Sequence, residues 1–332
     1  MPFRPWLYFP ASVSHRLAPL GLSAMGLFRT YQKIECRPLT WRGLKFSNPL
    51  GLAAGADKNA RNVSDWWTFG LGFVEVGTVT LAAQKGNPGK VIDRIGRQGA
   101  VWNKLGFPSE GSEEVLKRLQ RLPAPRYTPV FVNIGKNRST ANENAASEYR
   151  ELAKKMSPVA DAIVVNISSP NTKGLRELQN AKFISEIILA AREGAGSNRI
   201  LLKLSPDMEP QDLETALQVS LDCGVDGWIL TNTTTARPEG LRLPIEGGLS
   251  GRPLCERSRK VLEFAVKILG VRRGDRLIVS CGGVSDADEV KRRLDMGADL
   301  VQVYSALIFD GPLLFRQWLD QLQVVTKQPT HP

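Results

Sequence analysis

The chain has 332 residues, is 42% hydrophobic, and carries 44 Lys and Arg against 33 Asp and Glu, a net charge of +11. That composition supports a globular core, excludes a disordered or collagen-like chain, and leaves no apolar run near the ~18 residues a membrane-crossing helix needs. The four cysteines, Cys36, Cys223, Cys255 and Cys281, are dispersed, which argues against a disulfide framework or zinc cluster and fits a reducing compartment.

Residues 1–45 hold seven basic residues and a single acidic one, Glu35, among the apolar Trp6, Leu7, Tyr8, Phe9, Leu17, Leu20, Ala24, Leu27 and Phe28. From Leu17 the apolar positions recur at helical spacing, and Pro19-Leu20-Gly21 predicts a split into two short helices. A basic amphipathic hairpin of this kind fits either a helical cap with a solvated rim or a segment lying on an anionic membrane face. Prolines interrupt the segment and no small-residue cleavage site follows it, which argues against a signal peptide.

From residue 46 short apolar runs alternate with longer helical patterns. The predicted strands are Leu50–Ala53, Phe73–Val76, Val130–Ile134, Ala162–Asn166, Ile200–Lys203, Trp228–Leu230, Leu277–Val279 and Leu300–Val303. The predicted helices are Val63–Thr68, Ser112–Leu122, Asn144–Lys155, Ala181–Ala191, Asp212–Cys223, Glu256–Leu269, Ala287–Met296 and Pro312–Val324. Eight strand–helix units imply parallel strands closed into an α/β fold of the (β/α)8 TIM-barrel type, with a small N-terminal amphipathic helical segment. The expected division is a helical segment over 1–45, a barrel over 46–326 and a disordered tail over 327–332.

Every strand ends in Gly, Asn, Ser, Thr or Lys, on the face where barrel enzymes build their sites. Three sets stand out. Gly247-Gly248-Leu249-Ser250-Gly251, Gly282-Gly283 and Tyr304-Ser305 are candidates for a phosphate cradle, because glycines let backbone N–H groups approach closely. Asn103, Asn133, Asn166, Asn171 and Asn232 are each an ordinary turn residue, yet together their amides could read a flat ring of alternating donors and acceptors. Lys203 closes the run Ile200-Leu201-Leu202 and, with Lys58, needs a partner. Either a ring that gains negative charge or a salt bridge to Asp57 or Asp207 would supply one. The only histidines are His15 and His331, which excludes a Ser/His/Asp triad or a His-rich metal site on the rim. No Walker A loop or GxGxxG fingerprint occurs, so redox chemistry would come from a bound organic cofactor.

Taken in order, these motifs resemble the membrane-associated, quinone-dependent class 2 dihydroorotate dehydrogenases. The match lies in Asn48-Pro49-Leu50-Gly51-Leu52-Ala53-Ala54-Gly55 with Asp57-Lys58, Val74-Glu75-Val76-Gly77-Thr78-Val79-Thr80 and Asn133-Ile134-Gly135-Lys136-Asn137. It continues through Asn166-Ile167-Ser168-Ser169-Pro170-Asn171-Thr172, Thr231-Asn232-Thr233-Thr234, Gly247 to Leu254 and Val301-Gln302-Val303-Tyr304-Ser305, and spans about Ser12 to Leu322.

The resemblance implies oxidation of dihydroorotate to orotate in pyrimidine biosynthesis, with FMN as hydride acceptor and a membrane quinone as final acceptor. It implies Ser169 as the catalytic base, with Thr172 and Phe107 at matching relay positions. It places Lys58, Asn103, Lys104, Leu105, Gly106, Phe107, Asn166, Asn171, Asn232 and Thr233 on the substrate. It places Ala54, Gly55, Ala56, Asp57, Lys58, Thr78, Asn133, Asn166, Lys203, Thr231, Gly251, Gly283, Tyr304 and Ser305 on FMN, with no metal. It further implies that the N-terminal helices form a quinone entrance, lined by His15 and Arg94, on the cytoplasmic face of the cell's inner membrane. The expected protein is a monomer that binds an anionic membrane surface and no nucleic acid.

Two departures from the family pattern stand out. Asp93 replaces an aromatic near the quinone path, and Pro108 closes the substrate loop where an asparagine is usual. They bear on turnover and quinone choice more than on FMN binding. The alternatives are an FMN-binding paralogue with altered or lost dihydroorotate activity, and a tRNA dihydrouridine synthase-like flavoenzyme. The latter's substrate-loop cysteine and C-terminal helical domain are not evident in the sequence.

Overall fold

The structure, a computed structural model, describes residues 4–172, 174–240 and 243–327, with side chains through residue 323. The expected disordered tail lies outside the described residues from 328 onward, while Lys327 ends the last helix.

After a 3-10 turn over Pro5–Tyr8 comes helix α1 (Ala11–Gly26), then a hairpin of β1 (Leu39–Trp41) and β2 (Leu44–Phe46). The chain continues as β3 (Leu50–Leu52), α2 (Val63–Trp67), β4 (Phe73–Val79), β5 (Ile92–Ile95), β6 (Ala100–Asn103), α3 (Ser112–Gln120) and β7 (Val130–Ile134). Then follow α4 (Ala145–Met156), β8 (Ala162–Asn166), α5 (Ala181–Ala195), β9 (Arg199–Leu204), α6 (Pro210–Asp222), β10 (Gly227–Leu230) and β11 (Gly248–Gly251). The last elements are α7 (Cys255–Leu269), β12 (Leu277–Cys281), α8 (Ala287–Asp295), β13 (Leu300–Val303), α9 (Ser305–Asp310) and α10 (Leu314–Lys327).

Strands β3, β4, β7, β8, β9, β10, β12 and β13 close in that order into a parallel barrel, and they are the eight strands expected from the sequence. Their near-continuous apolar runs reflect burial on both faces. Alternate residues divide the core. Phe73, Phe131, Val164, Leu201, Ile229, Val279 and Leu300 fill the interior. Val74, Val132, Val165, Leu202, Leu230 and Val301 pack outward against the helices. The β1–β2 hairpin adds Trp41 and Phe46 to the interior cluster, with the Phe46 ring edge-on to Phe73 and Phe131 at 5.9 and 6.1 Å. Gly51 is required there, because a Cβ at that position would lie 2.3 Å from the Phe73 ring.

The structure corrects the sequence reading in three places. The N-terminal segment forms one helix through Pro19, not two. A proline removes a single N–H, and the helix is anchored at the proline and one turn beyond it: Asn62 Nδ2 donates to Pro19 O at 3.1 Å and Ser23 Oγ to Asp65 at 3.0 Å. Gly248–Gly251 is not a loop but a strand, the edge of an antiparallel sheet in the order β11-β6-β5. The short helix α9, between β13 and α10, and the strands β1, β2, β5 and β6 have no counterpart among the predicted elements.

Candidate active site

The carboxyl ends of the barrel strands surround a cavity that opens to solvent. Of the residues expected to act as base or to hold substrate or flavin, Ala54, Gly55, Lys58, Thr78, Asn103, Leu105, Gly106, Phe107, Asn166, Ser169, Asn171, Lys203, Thr231, Asn232, Thr233, Gly283, Tyr304 and Ser305 line it. Five lie elsewhere. Ala56 faces a second cavity. Asp57 is buried behind the loop, where it accepts the backbone N–H groups of Arg61 and Asn62 at 2.8 and 2.9 Å. Lys104 pairs with Glu246, Asn133 lies fully buried below Thr78, and Gly251 ends β11 against the Gly99 carbonyl.

The floor is polar and cross-linked. Lys203 Nζ stands 3.4 Å from the buried carboxylate of Glu75, so its protein partner is neither Asp57 nor Asp207. Glu75 also accepts from Asn133 Nδ2 at 2.6 Å and Gln302 Nε2 at 2.5 Å. Glu75 and Gln302 lie within the sequence motifs, but their local sequence assigns them no role. The available signal was a charged residue inside the apolar run Phe73–Val79, since a carboxylate facing a barrel core needs partners. Above this floor the amides form a chain: Thr78 Oγ1 donates to Asn133 Oδ1 at 2.6 Å, Asn166 Nδ2 donates to Asn133 Oδ1 at 3.1 Å, and Asn232 Nδ2 donates to Asn166 Oδ1 at 3.3 Å. Each amide is held by its neighbour, so the donors and acceptors facing the cavity are fixed before anything binds.

Ser169 is buried on the cavity wall, and its Oγ accepts the Asn171 backbone N–H at 3.2 Å. Asn171 Nδ2 in turn donates to Asn103 Oδ1 at 2.7 Å, which ties the serine loop to the end of β6, where the next loop begins. Asn87, another residue without an assigned role, joins the same two loops by donating to the carbonyls of Lys104 and Asn171 at 3.0 and 3.1 Å. Among the buried polar atoms with no protein partner are Asn171 Oδ1 and Gln302 Oε1, of residues that line the cavity, and Thr172 Oγ1, of a residue that does not. Such groups call for a bound partner. On the opposite side Gly283 has φ +75, and a Cβ there would fall 2.3 Å from Cys255 Cα. The Ser305 hydroxyl at the start of α9 donates to that of Ser250 at 2.8 Å beside it. The neighbouring Gly282 carbonyl is held by Ser258 Oγ at 2.7 Å and Arg293 at 3.0 Å.

A second, roomier and largely apolar cavity lies between α1, α2 and α9. Trp6, Phe9, Leu17, Leu22, Met25 and Trp66 contribute to its wall, together with His15 and Arg94. Arg94 donates to the carbonyls of Trp6, at 3.0 Å, and Phe9, which fastens the N-terminal turn over this space. Asp93 pairs with Lys90 at 2.7 Å. Tyr304 lines both cavities, and burial pushes its phenol up to about 12. Lys58 also lies at the boundary, donating to the Gly55 carbonyl at 2.6 Å and standing 3.1 Å from His15 Nε2. Burial lowers the Lys58 ammonium to about 8, against the pull of the Asp57 charge. The Lys58 charge, helped by burial, lowers His15 to about 3.

A barrel mouth with two cations, Lys58 and the buried Lys203, a row of fixed amides and a glycine-and-serine end defines an oxidoreductase of the cofactor-dependent (β/α)8 class. The dihydroorotate dehydrogenase family model matches residues 39–325. The chain is 45% identical over 283 residues to the dihydroorotate dehydrogenase (quinone) of Deinococcus radiodurans, covering 82% of this chain and 75% of that one. It is 42% identical over 283 residues to the enzyme of the same name from Thermus thermophilus, covering 83% and 80%. The crystal structure of DHODH from Eimeria tenella in complex with ferulenol superposes with a TM-score of 0.87 at 34% identity, covering 95% of this chain and 91% of that one. The chain belongs to the dihydroorotate dehydrogenase family, whose members are flavoenzymes. Membership sets aside the dihydrouridine synthase alternative.

Proposed function

We propose that the chain oxidises dihydroorotate to orotate at the barrel mouth, with FMN as its flavin and a quinone reaching the second cavity as final acceptor. The reaction and the acceptor are those named for its relatives in the quinone-dependent branch. The residues fit an FMN: orphaned acceptors and fixed amides suit a nitrogenous ring, and the Gly283 and Ser305 end suits a phosphate. Bound FMN supplies the two-electron acceptor that no side chain of the protein provides.

In this reading Lys203, steadied by Glu75, holds a positive charge where negative charge develops on the ring. Ala54, Gly55, Thr78, Asn166, Thr231 and Tyr304 complete the flavin wall. Lys58 and the amides of Asn103, Asn171 and Asn232, with Thr233, hold the carboxylate and ring of dihydroorotate. Ser169 Oγ takes the proton from substrate C5, and its own hydrogen passes toward the unpartnered Thr172 Oγ1. Phe107, Leu105 and Pro108 cover the site and exclude water, so a weak base competes with no solvent.

Residues 46–326 carry the flavin barrel, and the helical part of 1–45 carries the acceptor cavity. Tyr8, Phe9, Leu17, Leu20, Leu27 and Phe28 are exposed around that cavity, beside Arg16 and Arg29. This pattern supports peripheral binding to an anionic membrane on its cytoplasmic side. Among the described residues no helix is long and apolar enough to cross a membrane. One chain completes both cavities, which supports action as a monomer.

The observation that carries this reading is that the Ser169 hydroxyl and the Lys203–Glu75 floor open onto one cavity. The test is anaerobic: dihydroorotate added to the yellow protein bleaches the flavin, and quinone restores the colour. Ser169→Ala keeps its flavin but bleaches about 10²- to 10⁴-fold more slowly, the usual contribution of a general base. Unchanged bleaching would remove Ser169 from the role. A wild-type protein that stays yellow would assign the chain to a paralogue without this activity.

A further inference from the structure

Lys58 Nζ has three N–H donors, and the protein occupies two of them. One goes to the Gly55 carbonyl on its own loop at 2.6 Å, and one to His15 Nε2 on α1 at 3.1 Å. An ammonium is tetrahedral, so fixing two donors fixes the third. Lys58 lines the barrel cavity whereas His15 lines the second one, so the contact crosses the boundary between them. With Nε2 accepting from the ammonium, the imidazole is neutral and carries its hydrogen on Nδ1. The histidine thus adds no competing charge beside the lysine.

We propose that His15 is a positioning residue for the barrel site. Through Nε2 it orients the Lys58 ammonium so that its remaining N–H points at the carboxylate of the bound pyrimidine. The N-terminal helix then contributes to recognition of the substrate as well as to the wall of the acceptor cavity. The helix is held at the correct depth by contacts on either side of His15. Ser14 Oγ donates to Trp6 O at 2.6 Å, and Asn62 Nδ2 donates to Pro19 O at 3.1 Å. Without His15 the ammonium keeps only its bond to Gly55 and swings about it. Its third donor is then spread over directions that miss the ligand.

This inference rests on the assignment of Lys58 to the substrate, and the experiment separates the two. Orotate is titrated into the oxidised holoenzyme and followed by the change in flavin absorbance, for wild type, His15→Gln and His15→Met. Both substitutions fill the space, but only the glutamine offers an acceptor near the Nε2 position. The expected result is an orotate Kd about tenfold weaker in His15→Met, the scale of one hydrogen bond to a charged group, with most of that loss recovered in His15→Gln. The dihydroorotate KM should follow the same order. Equal orotate Kd in all three proteins, with only the quinone KM altered, would overturn the proposal and leave His15 as a wall residue of the second cavity. A wild-type holoenzyme that binds no orotate would instead defeat the assignment of the site itself.

Discussion

Glu75 and Lys203 lie 128 positions apart in the chain yet face each other across the barrel axis, both almost wholly buried. A lone lysine there would be costly, and so would a lone glutamate. Together with Asn133 and Gln302 they form a satisfied polar floor in an otherwise apolar barrel. The need for a partner to Lys203 was readable from its place at the end of an apolar strand. The partner's identity was not, because nothing local links β4 to β9. Lys58 offers a test at the same scale. Its ammonium, lowered to about 8 by burial, must be charged to hold a carboxylate. Orotate affinity should therefore be level below about pH 8 and weaken as pH rises through that value. A carboxylate bound beside it pulls the group back toward its ordinary range, so the liganded protein holds the proton longer. Titrations of orotate from pH 6.5 to 9.5, at about constant ionic strength, check the sign; affinity that rises with pH would contradict it.

At the scale of elements, the barrel strands were legible because each is a short apolar run flanked by turn residues, and burial on both faces demands such runs. The helices were legible by their period, and observed ends fall within a few residues of the expected ones. The three-stranded sheet of β5, β6 and β11 was not legible. Its strands are four residues each, and Gly248-Leu249-Ser250-Gly251 reads locally as a glycine turn. Pairing with β6 makes it a strand, a contact from almost 150 residues away. The Gly282-Gly283 turn shows the opposite case, where local composition and tertiary packing agree. Gly283→Ala would force a side chain into φ +75 and against the Cys255 backbone. The expected outcome is a protein that loses flavin during purification and unfolds at a lower temperature, read by the flavin-to-protein absorbance ratio and by thermal melts. Full flavin content in that variant would show that the turn has room to yield.

On the scale of the whole molecule, two cavities share a boundary made of Tyr304, Lys58 and His15, and the second is roofed by the N-terminal helix. The outer side of that roof is apolar, with Leu20 70% exposed on the helix and Phe28 89% exposed just past its end. Flotation with anionic vesicles should show salt-sensitive binding, and Leu20→Glu with Phe28→Glu should weaken it by about tenfold or more. Dihydroorotate oxidation with a water-soluble acceptor should remain at the wild-type rate. Vesicle binding unchanged by the double substitution would place the membrane-facing surface elsewhere. By itself the sequence determined the barrel, because hydrophobic period and turn chemistry are properties of neighbouring residues, and it marked most of the rim for the same reason. Only the tertiary structure decided which rim residues share a cavity. Ala54 and Gly55 face the barrel mouth, Ala56 faces the other cavity and Asp57 faces neither. Four consecutive residues diverge in this way because a loop's side chains take their directions from the distant segments packed around it.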